Sequence, residues 1–280
     1  MTVLVAVLAA LALYLFGLFL SYRHRFYLAT ARDQRFRIPT ISLHDFHERF
    51  QRTSTGPTLA AECVFIGGGD AVPAGTTDRE AWVLAVLSKD ARLLFEFGTA
   101  TGKTAYLMAR NSPPDARVIT ITLPPGDTSK YEHAEGDSRE ARDIALEESD
   151  FQTFLYSDTP EASKICQVYC DSKQFDTEPY RGLCDLIFVD GAHAYSYVHS
   201  DSQKAFEMVS PTGIILWHDY KKRAGVPREV VRALDEIAAK RPLKRLAGTH
   251  MVAYRRSWEP PLPSTNPSPN SATPHGHAFP

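Results

Sequence analysis

The chain has 280 residues, enough for one sizeable domain with additions at its ends. Its 31 basic and 33 acidic side chains leave a net charge of −2, which excludes the basic surplus of a nucleic-acid-binding protein. The four cysteines, Cys63, Cys166, Cys170 and Cys184, have no second Cys/His pair at zinc-ligand spacing and read as small hydrophobes of a reducing compartment.

Met1 to Leu20, MTVLVAVLAALALYLFGLFL, carries no charged side chain. At about 1.5 Å per residue, a helix of this length crosses a hydrocarbon layer of about 30 Å. No Lys or Arg precedes the run and no small-x-small site closes it. Residues 1–21 therefore read as one uncleaved transmembrane helix rather than a secretory signal. Arg23, Arg25, Arg32, Arg35 and Arg37 follow, and the positive-inside rule places the remainder in the cytoplasm, as a single-pass membrane protein. Residues 22–57 read as a juxtamembrane connector with a short helix near Leu43 to Phe50. Residues 58–257 read as the folded domain, and 258–280, rich in Pro and small polar residues, as a disordered tail.

Within the domain, Thr77-x-x-Glu80 is a capping box ahead of the helical run AWVLAVL. Strand and helix patterns then alternate: strand RLLFEF, helix KTAYLMAR, strand RVITIT, a helical stretch near Ala141 to Leu146, strand KICQVYC, strand CDLIFV, helix SYVHSDSQKAFEMV, strand GIILW, helix PREVVRALDEIAAK and strand MVAYRR. This alternation predicts an α/β three-layer sandwich, Rossmann-like, with a mostly parallel sheet. In such sheets ligands sit beyond the carboxyl ends of the strands, at the point where the strand order reverses.

The first of those ends, Glu96-Phe-Gly98-Thr99-Ala-Thr-Gly102-Lys103-Thr, is superficially a phosphate loop. It is one residue short of G-x-x-x-x-G-K-[ST], because Phe97 stands where the first glycine belongs. An ATPase reading would need Lys103, which otherwise reads as a solvated charge. A dinucleotide fingerprint is absent as well.

Glu96-x-Gly98-x-x-x-Gly102 at the end of a first strand resembles motif I of class I S-adenosylmethionine-dependent methyltransferases. DLIFVDGAHAYSYVHSD and GIILWHDY resemble the small-molecule and sugar O-methyltransferase branch of that family, and the resemblance runs from about Thr77 to Arg255. It implies S-adenosylmethionine as cofactor, held by Glu96, Gly98, Thr99 and Gly102 at the methionine half, by Thr122 at the ribose, by Asp171 and Ser172 at the adenine, and by Asp190. Thr122 replaces the family's usual acid, and its hydroxyl is a weaker partner than a carboxylate.

Catechol-type O-methyltransferases, a similar family, bind Mg²⁺ through an Asp after strand four and an Asp-Asn pair after strand five. The resemblance thus implies a divalent metal on Asp190, His218 and Asp219. The imidazole of His218 suits Mn²⁺, Fe²⁺ or Zn²⁺ better than Mg²⁺. His193, three residues after Asp190, stands where those enzymes carry a catalytic lysine, so His193 and Asp190 are the implied catalytic pair. The expected activity is methylation of a hydroxyl on a small molecule or sugar-containing metabolite. Each residue also has a structural reading: Asp190 as a helix cap, His193 as a hydrogen-bonder, His218 and Asp219 as partners of loop backbone. A degenerate binding module that keeps the cleft without turnover is the alternative.

Overall fold

The structure, a computed structural model, describes residues 11, 14–21, 36–67, 75–221 and 228–260. Residues 14–21 are helical, with Leu15, Phe16, Phe19 and Leu20 exposed. The rest of the expected anchor, and the tail from residue 261, lie outside the described residues. Among those described, no helix is long and apolar enough to cross a membrane.

Among the described residues one sheet has eight strands: β1 (Thr40–Ile41), β4 (Leu93–Phe97), β5 (Arg117–Thr122), β6 (Ile165–Tyr169), β7 (Cys184–Val189), β8 (Val209–Trp217), β9 (Lys244–Leu246) and β10 (Val252–Arg255). β2 (Arg52–Thr53) and β3 (Gly56–Pro57) form a separate hairpin. The order across the large sheet is β1-β9-β10-β8-β7-β4-β5-β6. β10 runs antiparallel to both β8 and β9, and the other pairings are parallel. The predicted mostly parallel sheet is therefore observed. The order reverses between β4 and β7, so a cleft opens beyond their carboxyl ends.

The central strands read as unbroken apolar runs because both faces of the sheet are covered. Leu94, Leu186, Phe188 and Leu216 face a core made with α2 (Asp78–Ser88) and α3 (Lys103–Asn111). Their neighbours Phe95, Ile187, Ile215 and Trp217 face a second core made with α5 (Tyr195–Met208) and α6 (Glu229–Ala238). The alternation is the two-residue period of a pleated strand serving two helical layers.

α2 begins at the predicted capping box: Thr77 accepts from the Glu80 backbone, and the Glu80 side chain accepts from the Thr77 N–H. The connector assigned to residues 22–57 is, from Ile38 onward, part of the folded unit. Ile38, Leu43, Phe46 and Phe50 are buried, and β1 extends the sheet beside β9. Strands of two and three residues carry too little periodicity to be seen in a sequence, which is why β1 and β9 were not predicted.

Candidate active site

Register places the three site-bearing strand ends side by side. Phe97 pairs with Val189, and Val189 with Trp217, so Gly98, Asp190 and His218 follow one another across the sheet edge. The loops after β4 and β7 are pressed together. The Asp190 N–H donates to the Phe97 carbonyl (2.9 Å), and a Cβ on Gly98 would lie 2.1 Å from the Asp190 carbonyl oxygen. Gly98 also has φ +93°, a region L-residues with a side chain avoid. A side chain there would separate the two loops, and Gly98 also lines the cleft. Gly102, at φ +76°, is packed against Phe154 and Tyr156 and is not on the cleft wall.

The cleft has two adjoining compartments that share Gly98, Ala100, Glu148 and Asp190. The first, ≈ 490 Å³, includes Ile121, Thr122, Leu123, Ser172 and Tyr197. The second, ≈ 820 Å³, includes Thr99, Thr101, Lys103, His193, His218 and Asp219. One compartment is mainly apolar and the other mainly polar. That division fits an elongated cofactor with a nucleoside at one end and an amino-acid group at the other.

A polar ladder beneath the loop fixes its shape. Tyr156 OH donates to Gln167 Oε1 (2.6 Å), and Gln167 Nε2 donates to Thr99 Oγ1 (3.1 Å). Thr99 and Thr120 hydroxyls lie 2.7 Å apart, and Thr120 donates to Glu96 Oε2 (2.6 Å). Glu96 is thus turned under the loop and lines neither compartment. Its Oε1 is buried with no partner among the described residues, and burial pushes the carboxyl up to about 8. Between pH 4.5 and 8 the folded state holds a proton that the unfolded state releases, so stability falls as pH rises. Glu96→Gln keeps the shape without the ionisation. It should melt above the wild type at pH 9, with the difference narrowing towards pH 5. Melting curves at both pH values measure this, and parallel curves for the two proteins would defeat it.

At the adenine side the structure separates the two predicted residues. Ser172 is on the wall, whereas Asp171 is buried and its Oδ1 accepts from the Lys173 N–H (2.9 Å). Thr122 is on the wall as expected. The carboxylates sequence reasoning missed are Glu148 and Asp201. Asp201 Oδ1 is buried without a partner among the described residues, and burial lifts both carboxyls to about 7. Neither follows a strand, so the strand-end rule did not point to them; they come from helices α4 (Arg139–Ser149) and α5.

The predicted metal set is rearranged. The ligand atoms of Asp190, His193 and Asp219 all lie within 4.8 Å of one another. His218 is instead held between carboxylates: its Nδ1 lies 3.0 Å from Asp190 Oδ1 and 3.1 Å from Asp219 Oδ1, and its Nε2 lies 3.2 Å from Glu80 Oε2. Burial opposes charging this ring, but Asp190, Asp219 and Glu80 raise its pKa well above the ordinary value. A ring with both nitrogens so engaged offers no lone pair to an ion. Two carboxylates and the imidazole of His193 remain, a donor set that suits a divalent cation.

His193 Nε2 lies 2.6 Å from Asp219 Oδ2. A carboxylate can only accept, so in the neutral ring the proton sits on Nε2 and Nδ1 carries the lone pair. Nδ1 is buried with no partner among the described residues. Burial lowers the pKa of His193, but Asp219 outweighs it and the net shift is upward. Asp219 itself sits at φ +60° and, beside His193 and His218, receives a third contact from Lys221 Nζ at 2.7 Å. Strain of this kind, in a non-glycine residue at the mouth of a cleft, is common at functional sites.

Residues 95–220 match the family described as a methyltransferase domain. That segment of the chain is similar to methyltransferase domains. No curated protein sequence matches it. Solved structures similar to it include the O-methyltransferase TomG from Streptomyces achromogenes, in complex with SAM, at 17% identity and a TM-score of 0.43, covering 66% of this chain and 83% of that one. Another is the SAH-bound methyltransferase PaMTH1 of Podospora anserina, at 15% identity and a TM-score of 0.44, covering 66% and 82%. A third is an O-methyltransferase from Bacillus cereus in complex with SAH, at 16% identity and a TM-score of 0.43, covering 66% and 84%. Likeness at this level carries no argument about the acceptor. The matched segment runs from β4 to the residue after Asp219, so it contains both strand ends that bear Asp190, His193 and Asp219.

Proposed function

We propose that the protein is a membrane-anchored O-methyltransferase that methylates a hydroxyl of a small molecule or sugar-containing metabolite. The observation that carries the reading is the His193–Asp219 pair at 2.6 Å on the wall of the polar compartment, beside Gly98 and Asp190. The cofactor, S-adenosylmethionine, supplies an electrophilic methyl group. What the chain must add is a site for the acceptor hydroxyl and a group to take its proton. Nδ1 of His193 is that group, Asp219 holds the ring in the tautomer that leaves Nδ1 free, and His218 balances the charge of the two carboxylates. A convergent pair of this kind favours turnover over a degenerate binding module. Titration of the protein with S-adenosylmethionine, followed by methyl transfer across a panel of hydroxyl acceptors, tests it. Cofactor binding with no transfer to any acceptor would favour the binding module.

A second reading is favoured by the convergence within 4.8 Å: a divalent ion held by Asp190, His193 and Asp219. Such an ion would lower the pKa of the acceptor hydroxyl. In that case His193 is a ligand rather than the base, and His193→Ala loses metal as well as rate.

The anchor rests on the uncharged run of residues 1–20 and the arginines after it. A cytoplasmic domain is protected from protease added outside intact cells; digestion of the domain under those conditions would reverse the orientation.

A further inference from the structure

α4 carries a charge on the wrong face. Ala141, Ala145 and Ser149 recur every four residues and form its buried stripe, and Ala141 and Ala145 pack with Leu123 and Tyr197. Glu140, Asp143 and Glu147 are exposed, as expected of solvated acids. Glu148 follows Ala145 by three residues, so it falls beside the inward stripe, is half-buried and lines the cleft. The helix is held in this orientation at its other end. The Ser138 hydroxyl accepts from the Ala141 N–H (3.1 Å), and the Ser138 N–H and hydroxyl both donate to Glu229 (2.7 and 2.8 Å). A carboxylate turned towards an apolar wall is costly unless a partner meets it there.

Glu148 stands where the two compartments join. Of the four described residues that border both, Gly98 and Ala100 are uncharged, and Glu148 and Asp190 are acids. Asp190 comes from the sheet edge and is met by His218 Nδ1 at 3.0 Å. Glu148 comes from the helical side, and the charges that bear most on it are those of His193, Asp190, Asp219 and His218. It therefore faces the same space as the proton acceptor of the proposed reaction. The two imidazoles are already engaged there, His193 by Asp219 at 2.6 Å and His218 by Asp190, Asp219 and Glu80.

An elongated cofactor with its nucleoside in the apolar compartment and its amino-acid group in the polar one crosses this waist at its middle, the sulfur. In S-adenosylmethionine that sulfur is a sulfonium and carries a positive charge. On methyl transfer the carbon–sulfur bond breaks, its electron pair stays on sulfur, the acceptor oxygen gains the methyl and its proton goes to His193. The thioether of S-adenosylhomocysteine is neutral. We propose that Glu148 is a selectivity residue that reads this charge, favouring S-adenosylmethionine over S-adenosylhomocysteine and so promoting exchange of product for fresh cofactor. The proposal rests on the methyltransferase reading above. Shape cannot supply the distinction, because the two molecules differ by one methyl group, whereas a carboxylate in a poorly screened cleft senses the charge through space.

The test is isothermal titration of the full chain with S-adenosylmethionine and with S-adenosylhomocysteine at pH 8, above the value of about 7 to which burial raises the Glu148 carboxyl. The wild type should prefer S-adenosylmethionine by about 10–100-fold, the effect of one charge pair in a partly screened cleft. Glu148→Gln should abolish that preference by weakening S-adenosylmethionine, with S-adenosylhomocysteine binding near the wild-type level. Glu148→Asp keeps the charge and should keep part of the preference. Glu147→Gln, one residue away and exposed, should behave as the wild type with both ligands. A wild type without the preference, or a Glu148→Gln variant that loses both ligands equally or neither, would overturn the proposal. A wild type that binds neither ligand defeats the methyltransferase reading itself. Should Glu148→Gln not fold, Glu148→Ala replaces it, and the wild-type ratio of the two affinities still decides.

Discussion

His193→Ala should lower the rate of methyl transfer by about 10²–10⁴-fold, the usual contribution of a positioned base, while S-adenosylmethionine binding stays near the wild-type level. The ring is on the wall of the polar compartment and its Nδ1 has no partner among the described residues, so its removal takes away the proton acceptor without touching the apolar compartment. Asp219→Asn should produce a loss of similar order, because an amide facing Nε2 no longer fixes the tautomer that leaves Nδ1 free. Single-turnover rates and cofactor titrations on the same samples separate chemistry from binding. Treatment with EDTA should leave the wild-type rate unchanged if His193 is the base. A rate abolished by EDTA and restored by Mn²⁺ or Mg²⁺, with metal missing from His193→Ala, would move the assignment to the metal-ligand reading.

Gly98→Ala should destabilise the fold by roughly 3–5 kcal/mol, a cost in the range that only core, strain or network defects reach. The new Cβ would meet the Asp190 carbonyl oxygen at 2.1 Å and Gly191 Cα at 2.7 Å, and neither is the movable end of a side chain. Its φ of +93° adds backbone strain. Gly126→Ala is the matched control: φ is +73°, but a Cβ there meets nothing within 4 Å. It should cost only about 1–2 kcal/mol, the price of a left-handed residue. Urea denaturation of both variants measures the difference. Equal losses at the two positions would show that strain, not the contact between the β4 and β7 loops, makes Gly98 necessary.

Part of the fold and of the site is legible in the chain. Apolar runs such as LIFV and IILW are long enough, and bounded well enough by Gly, Asp and Pro, to be read as buried parallel strands; the Thr77–Glu80 box marked a helix start in the same local way. Local chemistry also put Asp190, His193, His218 and Asp219 after two strands. Which of them faced one another was not local. His193 and His218 are both imidazoles next to an acid, and only the packing of α2 against the sheet brings Glu80 to His218 Nε2 and so leaves His193 to the cleft.

The sequence by itself determined the alternation of elements, the strand-end position of the reactive residues and the glycines the turn requires, because these depend on side-chain period and backbone freedom over a few residues. Tertiary structure alone decided that Glu96 lies under the loop, that Lys103 lies in the cleft, and that Glu148 and Asp201 reach it from helices. The physical reason is that burial and charge pairing are set by what packs on a residue from other elements. A lysine at the start of a helix carries no mark in its own neighbourhood of whether its ammonium will meet water or a wall.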